Sequence, residues 1–261
     1  MANANLVYYN SKFNNLSTSI FMFFLPLKTR KFLPPKDNLY SLLDSYLPHL
    51  KEKDILVVTS KIVSIGQGRT VKITPKTDRL ALIKTEAEKY YAPNPSSITV
   101  KNHTLTPFAG IDRSNANGYY VLLPKKPHQE AKKIWQYLRR RHRLTNLGII
   151  IADSFCLPFR WGHLGISLGF FGFNPLKSYA GQKDIFNRQL IRHNSNLVDA
   201  LAGLAVVHMG EGDEQTPLCL VRGFTKIRFD QKDYSRKFYI SSADDIYTPL
   251  LSNLKTGILS P

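Results

Sequence analysis

Two uninterrupted apolar runs constrain this chain more than any other feature: Asp54 to Ser60, DILVVTS, and Leu147 to Ala152, LGIIIA. Both are dominated by branched side chains without polar alternation, and each reads as a buried strand. Four helices are expected around them. Asn38 to His49 carries Leu39, Leu42, Leu43, Tyr46 and Leu47 at helical spacing after Pro34-Pro35, with Asp37 as the expected cap. Asp78 to Tyr91 reads as a helix with Leu80, Ile83, Ala87 and Tyr90 inward. Pro127 opens a third, running to about His142, because a first-turn proline is tolerated. Asn196 to Met209 is rich in Ala and Leu. Further strands are expected at Ile20–Leu25, Ser97–Phe108, Tyr119–Leu123 and Leu218–Val221. Helices and strands mix without strict alternation, which predicts an α+β fold with mixed sheets rather than a doubly wound one.

Composition adds the setting. With 36 Lys and Arg against 19 Asp and Glu, the net charge of +17 attracts nucleic acid, anionic lipid or phosphorylated small molecules. Cys156 and Cys219 imply no disulfide framework, so a reducing cytoplasm is expected. The apolar Ile20–Leu25 is far shorter than the roughly 20 residues a membrane helix needs. Residues 1–19, rich in Asn and Ser, read as a loose extension, and Met22 as a possible true start.

Three acids then draw attention, each at a loop. Asp153 follows LGIIIA directly, at the carboxyl end of a strand, where open sheets bind ligands. Asp112 stands in AGIDRSNANGYYVLLP, whose Asn117-Gly118 suits a tight turn. Glu211 lies in HMGEGDEQTPLCLVRG, after the helix-ending Gly210. Singly, each is more simply a turn former or a solvated acid. Together with a hydroxyl they make the oxygen donor set of Mg²⁺ or Mn²⁺, ions that commonly carry nucleotide phosphates.

VVTSKIVSIGQGR, AGIDRSNANGYYVLLP, LGIIIADSFCLPFRWGHLGISLGFFG and MGEGDEQTPLCLVRG resemble, in order and spacing, the motifs of the γ-glutamyl ligase of the deazaflavin coenzyme F-420. The resemblance runs from about Phe24 to Gly223. It implies a single catalytic unit over residues 20–261, built of two interwoven lobes and forming a homodimer. It implies GTP as co-substrate, two divalent ions, and transfer of L-glutamate to the carboxylate of a phosphorylated lactyl deazaflavin through an acyl phosphate. By position, Asp112 and Asp153 resemble the catalytic ligands of one ion, and Ser154 (usually threonine in the family) and Glu211 those of the second. Ser60, Lys61 and Asn115 resemble nucleotide contacts.

The chain also departs from the family. Where Gly-Arg-Pro-Trp-Arg is common it reads Cys156-Leu157-Pro158-Phe159-Arg160, and where Tyr-Arg-Gly is common it reads Tyr179-Ala180-Gly181. Two arginine forks are missing, so the acceptor side reads as altered. Arg160, Arg188, Asp184 and Arg222 are acceptor or scaffold candidates, an Asp184–Arg188 salt bridge at helical spacing being the plainer reading. Another acceptor such as a folate, or a nucleic-acid-binding relative without the reaction, stand as alternatives. The basic segment Lys125 to Arg143, with RRRHR at 139–143, reads first as a solvated helix face with its cations at the negative end of the dipole. Nucleic-acid contact is its rival, weakened by the lack of a recognised binding motif. The seven histidines show no paired metal spacing.

Overall fold

The structure, a computed structural model, describes residues 22–91, 98–241, 243–251 and 255–256. The expected extension at residues 1–19 lies outside them. A five-stranded sheet forms the centre. It combines β1 (Phe23–Leu27), β2 (Asp54–Thr59), β8 (Leu147–Cys156), β9 (His163–Phe171) and β12 (Leu218–Arg222) in the order β1-β12-β2-β8-β9. The two apolar runs of the sequence are neighbours there, β2 and β8 being parallel from Asp54↔Leu147 to Thr59↔Ala152, while every other pairing in the sheet is antiparallel.

Alternation along β2 and β8 feeds two cores. Leu56, Val58, Ile149 and Ile151 point to one face, under α1 (Leu39–Tyr46), α2 (Ser60–Gly66) and α4 (Pro127–His142). Ile55, Val57, Ile150 and Ala152 point to the other, under α5 (Leu197–Met209) and a C-terminal stretch carrying α6 (Ser235–Phe238). Strands covered on both sides have no use for polar positions, which explains the absence of a period-two pattern. Each fully buried Leu or Ile contributes about 1.5–3 kcal/mol.

Between α2 and α4 the chain builds a smaller layer. It comprises β3 (Thr70–Lys72) paired with β7 (Tyr119–Val121), α3 (Arg79–Glu86), and a sheet of β4 (Lys89–Tyr91), β5 (Ile98–Lys101), β6 (Thr104–Pro107) and β13 (Lys255–Thr256). Ile83, Ala87, Ile111, Tyr120 and Leu122 form its core. A two-stranded arm, β10 (Leu176–Ser178) with β11 (Asn194–Asn196), and the short α7 (Thr248–Leu251) complete the elements. The architecture is α+β with mixed sheets.

Several expectations are corrected. Asn38, not Asp37, caps α1, its side chain accepting from the Ser41 amide at 3.1 Å. Asp37 instead takes a fork from Arg30 at 2.6 and 2.8 Å. The helix stops at Tyr46 because Pro48 forces Leu47 into extended backbone. The second helix ends at Glu86, and Lys89–Tyr91 pair with β5, so Leu80 is exposed and Tyr90 packs from a strand. Of the expected strand Ser97–Phe108, Ser97 lies outside the described residues, and Ile98–Lys101 and Thr104–Pro107 form a hairpin turned at Asn102-His103, both at positive φ. LGIIIA continues through Asp153 and Ser154 to Cys156, because β9 pairs with the strand over its whole outer half.

Candidate functional site

The carboxyl ends of the parallel strands β2 and β8 open into a cleft of about 770 Å³. Strand ends converge there because the peptide turns from β2 straight into α2 and from the inner half of β8 into its exposed half. Ser60 is the first residue of α2, and its hydroxyl donates to the Asp153 carboxylate at 2.6 Å. The Ser154 amide donates to the other Asp153 oxygen at 2.9 Å. Burial pushes the Asp153 carboxyl up to about 6, because these two donors and the more distant Lys61 only partly offset the lost hydration.

Asp112 reaches the same cleft from the loop before β7. A bridge to Val121, with hydrogen bonds of 3.0 and 2.8 Å, fixes its backbone. The Asn117-Gly118 turn, both residues at positive φ, closes that loop. Lys61 Nζ lies 2.7 Å from the Asp112 carboxylate and donates to the Ser114 carbonyl at 2.8 Å. Ser114 also donates to Asp112 twice, through its amide at 2.8 Å and its hydroxyl at 2.6 Å. Burial alone would raise the Asp112 carboxyl; Lys61 and Ser114 outweigh it and hold the group below the usual range.

Glu211 arrives from α5. On β9, Gly165 faces Ser154, and a Cβ there would stand 2.6 Å from the Val206 side chain of α5. Only a glycine lets the helix lie this close, and the loop after it then brings Glu211 within 3.1 Å of the Ser154 hydroxyl. Asn115 ties the same loop down, donating to the Gly212 carbonyl at 2.8 Å.

The cleft therefore unites Lys61, Asp112, Asn115, Asp153, Ser154 and Glu211 from separate parts of the sequence, while the expected nucleotide contact Ser60 is buried behind Asp153 and does not line it. It does not include Arg160 or Arg188, both on exposed loops away from its lining. Asp184 and Arg188 make no side-chain salt bridge and no helix; the Arg188 amide donates to Asp184 at 2.8 Å in the tip of the β10–β11 arm. Arg222 is scaffold, forking onto the fully buried Asp54 at 2.7 Å from both nitrogens, at the opposite end of β2. Sequence reasoning missed the segment Thr29 to Pro34, which lines the cleft from the far side and contributes Lys31. Nothing local marks that segment; it is brought in by β1.

Charge inside the cleft opposes that of the whole chain. Asp112, Asp153, Glu211, Asp213 and Glu214 line it against Arg30, Lys31 and Lys61, of which Arg30 is committed to Asp37 and Lys61 to Asp112. A polyphosphate could enter only with cations of its own. The donors are all oxygen, which suits Mg²⁺ or Mn²⁺, and among the described residues no three of His, Cys, Asp or Glu form a ready-made ion cage. That combination fits an ion held by one or two carboxylates and completed by phosphate and water.

Comparison with known proteins gives the family. The family model described as F420-0:Gamma-glutamyl ligase matches residues 29–223. The coenzyme F420:L-glutamate ligase of Methanopyrus kandleri is 30% identical over 246 residues, covering 85% of this chain and 96% of that protein. The proteins of the same name from Methanocaldococcus jannaschii and Methanosarcina acetivorans are 31% and 30% identical, over 71% and 80% of this chain and 81% and 86% of their own lengths. Among the described residues no helix is long and apolar enough to cross a membrane.

Proposed function

The chain belongs to the F420-0:gamma-glutamyl ligase family, and from that premise we propose that its cleft joins L-glutamate to an acceptor carboxylate at the expense of GTP. The observation that carries this reading is the acidic cleft itself: carboxylates around one committed lysine, at the ends of parallel strands, in a chain of net charge +17. In this reading Asp112 and Asp153 hold one divalent ion, and Ser154 and Glu211 a second. Bound ions would neutralise the triphosphate and the charge spread over the transferring phosphoryl group. Lys61 and Asn115 position the nucleotide.

The chemistry needs no side-chain nucleophile. An acceptor carboxylate oxygen attacks the γ-phosphorus, GDP leaves, and an acyl phosphate forms. The glutamate amine then attacks the carbonyl carbon, the carbon–oxygen bond to phosphate breaks, and the amine proton passes to solvent. The cleft supplies position and electrostatics.

The relatives' name gives coenzyme F420; the acceptor proposed in the first instance is the phosphorylated lactyl deazaflavin that the sequence resemblance implies. Leu157 and Ala180, where the family commonly has arginines, favour a second reading in which the acceptor lacks that phosphate, as a folate does. A second copy of the chain would cover the exposed Ile185, Phe186 and Ile191 of the β10–β11 arm, supporting a homodimer. Mass spectrometry of products from purified protein, GTP, Mn²⁺, glutamate and both acceptors tests the proposal. One glutamate residue added to either acceptor, only with nucleotide present, supports it; no nucleotide-dependent product with any carboxylate overturns it. Light scattering in solution tests the dimer.

A further inference from the structure

The basic segment RRRHR does not act as one unit once folded. Arg141 pairs with Asp44 at 3.0 Å, and His142 packs against His49 and accepts from the Leu50 amide. These two belong to the scaffold. Arg139 stacks on Trp135, its guanidinium carbon 4.9 Å from the ring centre, and its Nε donates to the Leu144 carbonyl at 3.0 Å. Its terminal nitrogens have no hydrogen-bond partner among the described residues. Arg140 and Arg143 have no carboxylate partner among the described residues, and Lys132 lies by the Phe171 ring, at 5.4 Å, and senses the Asp233 carboxylate without pairing with it.

These four cations share one groove of about 640 Å³ with Gln136, Gln231, Trp135 and Phe171. No acid lines it. Glu130, the acid of α4, pairs with Lys133 on another face at 3.2 Å, and Glu52, which senses Arg139, is already taken by the amides of Thr145 and Asn146. A solvated helix face normally interleaves signs; here Arg143 stands three and four residues from Arg140 and Arg139, where like charges repel. The dipole accounts for cations in the last turn, but not for Lys132, nor for Arg143 in the left-handed backbone region at φ 56 beyond the helix end. The groove is also remote from the cleft. It lies at the Leu147 end of β8, whereas Asp153 is six residues along that strand, about 20 Å away.

We propose that this groove is a second anion site, separate from the cleft, that takes a chain of phosphate groups such as an oligonucleotide strand or inorganic polyphosphate presents. From Lys132 to Arg143 is about 16 Å along the helix, room for roughly four or five phosphates at 3.4 Å per nucleotide. Its two aromatic rings are buried by the protein, so bases find no stacking surface and contact is with the phosphates. Arg139 is held in place in advance, Lys132, Arg140 and Arg143 close over the chain, and the two glutamine amides donate between them.

The test measures binding of a labelled 12-residue oligouridylate by fluorescence anisotropy, and of inorganic polyphosphate by competition, across a salt series. Wild type is expected to bind at least one, with log affinity falling by about 0.7 per contacted phosphate for each tenfold rise in salt. In R140Q/R143Q the slope should become shallower by about 1.4, while R141Q, equally reduced in net charge per substitution but paired with Asp44, should keep the wild-type slope. Whichever probe shows this pattern identifies the source of the phosphates. Absence of binding to either probe at low salt, an unchanged slope in R140Q/R143Q, or an R141Q slope that falls in proportion to net charge would each overturn the proposal. All three positions are exposed, and equal melting temperatures establish that the variants are folded.

Discussion

The Ser60 hydroxyl sits 2.6 Å from the Asp153 carboxylate, across 93 positions of sequence. This bond joins the end of β2 to the end of β8 and so sets the floor of the cleft. It also fixes the orientation of a carboxylate that has no salt-bridge partner of its own among the described residues.

Asp112→Asn and Asp153→Asn remove a charge each without changing volume. Both should lower kcat/KM for glutamate ligation by on the order of 100-fold or more, with little change in melting temperature, and both should weaken Mn²⁺ binding in titration calorimetry. Ligation near the wild-type rate in both variants would remove these residues from the machinery.

Lys61→Met takes away the only cation paired with the Asp112 carboxylate among the described residues. Losing one such preorganised electrostatic contact should cost on the order of 10²–10³ in kcat/KM. With Lys61 gone, only the two Ser114 donors still oppose burial at Asp112, so its carboxyl rises and the activity that remains should require higher pH than in wild type. A pH–rate profile measures this directly, and an unshifted acid limb would contradict the coupling.

Asp37 accepts from Arg30 and from the amides of Leu33 and Asn38, and Arg30 holds its carboxyl well below the usual range. A depressed folded value means that the stabilisation is present above the unfolded value of 3.8 and is lost as pH falls below it. Asp37→Asn should therefore cost about 1 kcal/mol at neutral pH, a modest figure because Arg30 is substantially exposed. The deficit relative to wild type should shrink on acidification below pH 4. Denaturant melts at pH 7 and below pH 4 compare the two, and a constant deficit would rule out the ionised pair as its source.

Arg222→Met should be the most destabilising of these changes, by about 3–5 kcal/mol. It strands the carboxylate of Asp54, which is fully buried. Adding Asp54→Asn to it should recover part of the loss, since the stranded charge is then gone; urea midpoints of the single and double variants decide the matter.

Leu157→Arg with Ala180→Arg restores the two forks the family commonly has. If the acceptor side is altered, this pair should lower KM for a phosphorylated lactyl deazaflavin, each well-placed contact contributing roughly 1.5–3 kcal/mol, while KM for GTP stays fixed. Unchanged acceptor kinetics would mean that these positions do not select the acceptor.

Much of the fold was written locally. DILVVTS and LGIIIA read as buried strands and formed them, except that Ser60 begins α2; Pro127 opened its helix at the expected residue, and Asn117-Gly118 turned as its backbone preferences require. Where local signals competed, tertiary pairing won: Tyr90 left its helical spacing for a strand partner in β5, and Asp37 gave up capping for Arg30. The site was legible as separate acids at loops, because strand ends and helix ends are marked by local chemistry. Their convergence was not, since nothing near Asp112 encodes Lys61, and nothing near Glu211 encodes Ser154. Only the placing of the Asp112 loop, bridged to Val121, beside α2, and the glycine that lets α5 approach β9, set those groups at 2.7 and 3.1 Å. The same holds for the basic segment, where sequence supplies five cationic or titratable side chains in a row and the helix's neighbours decide which of them remain free to meet an anion.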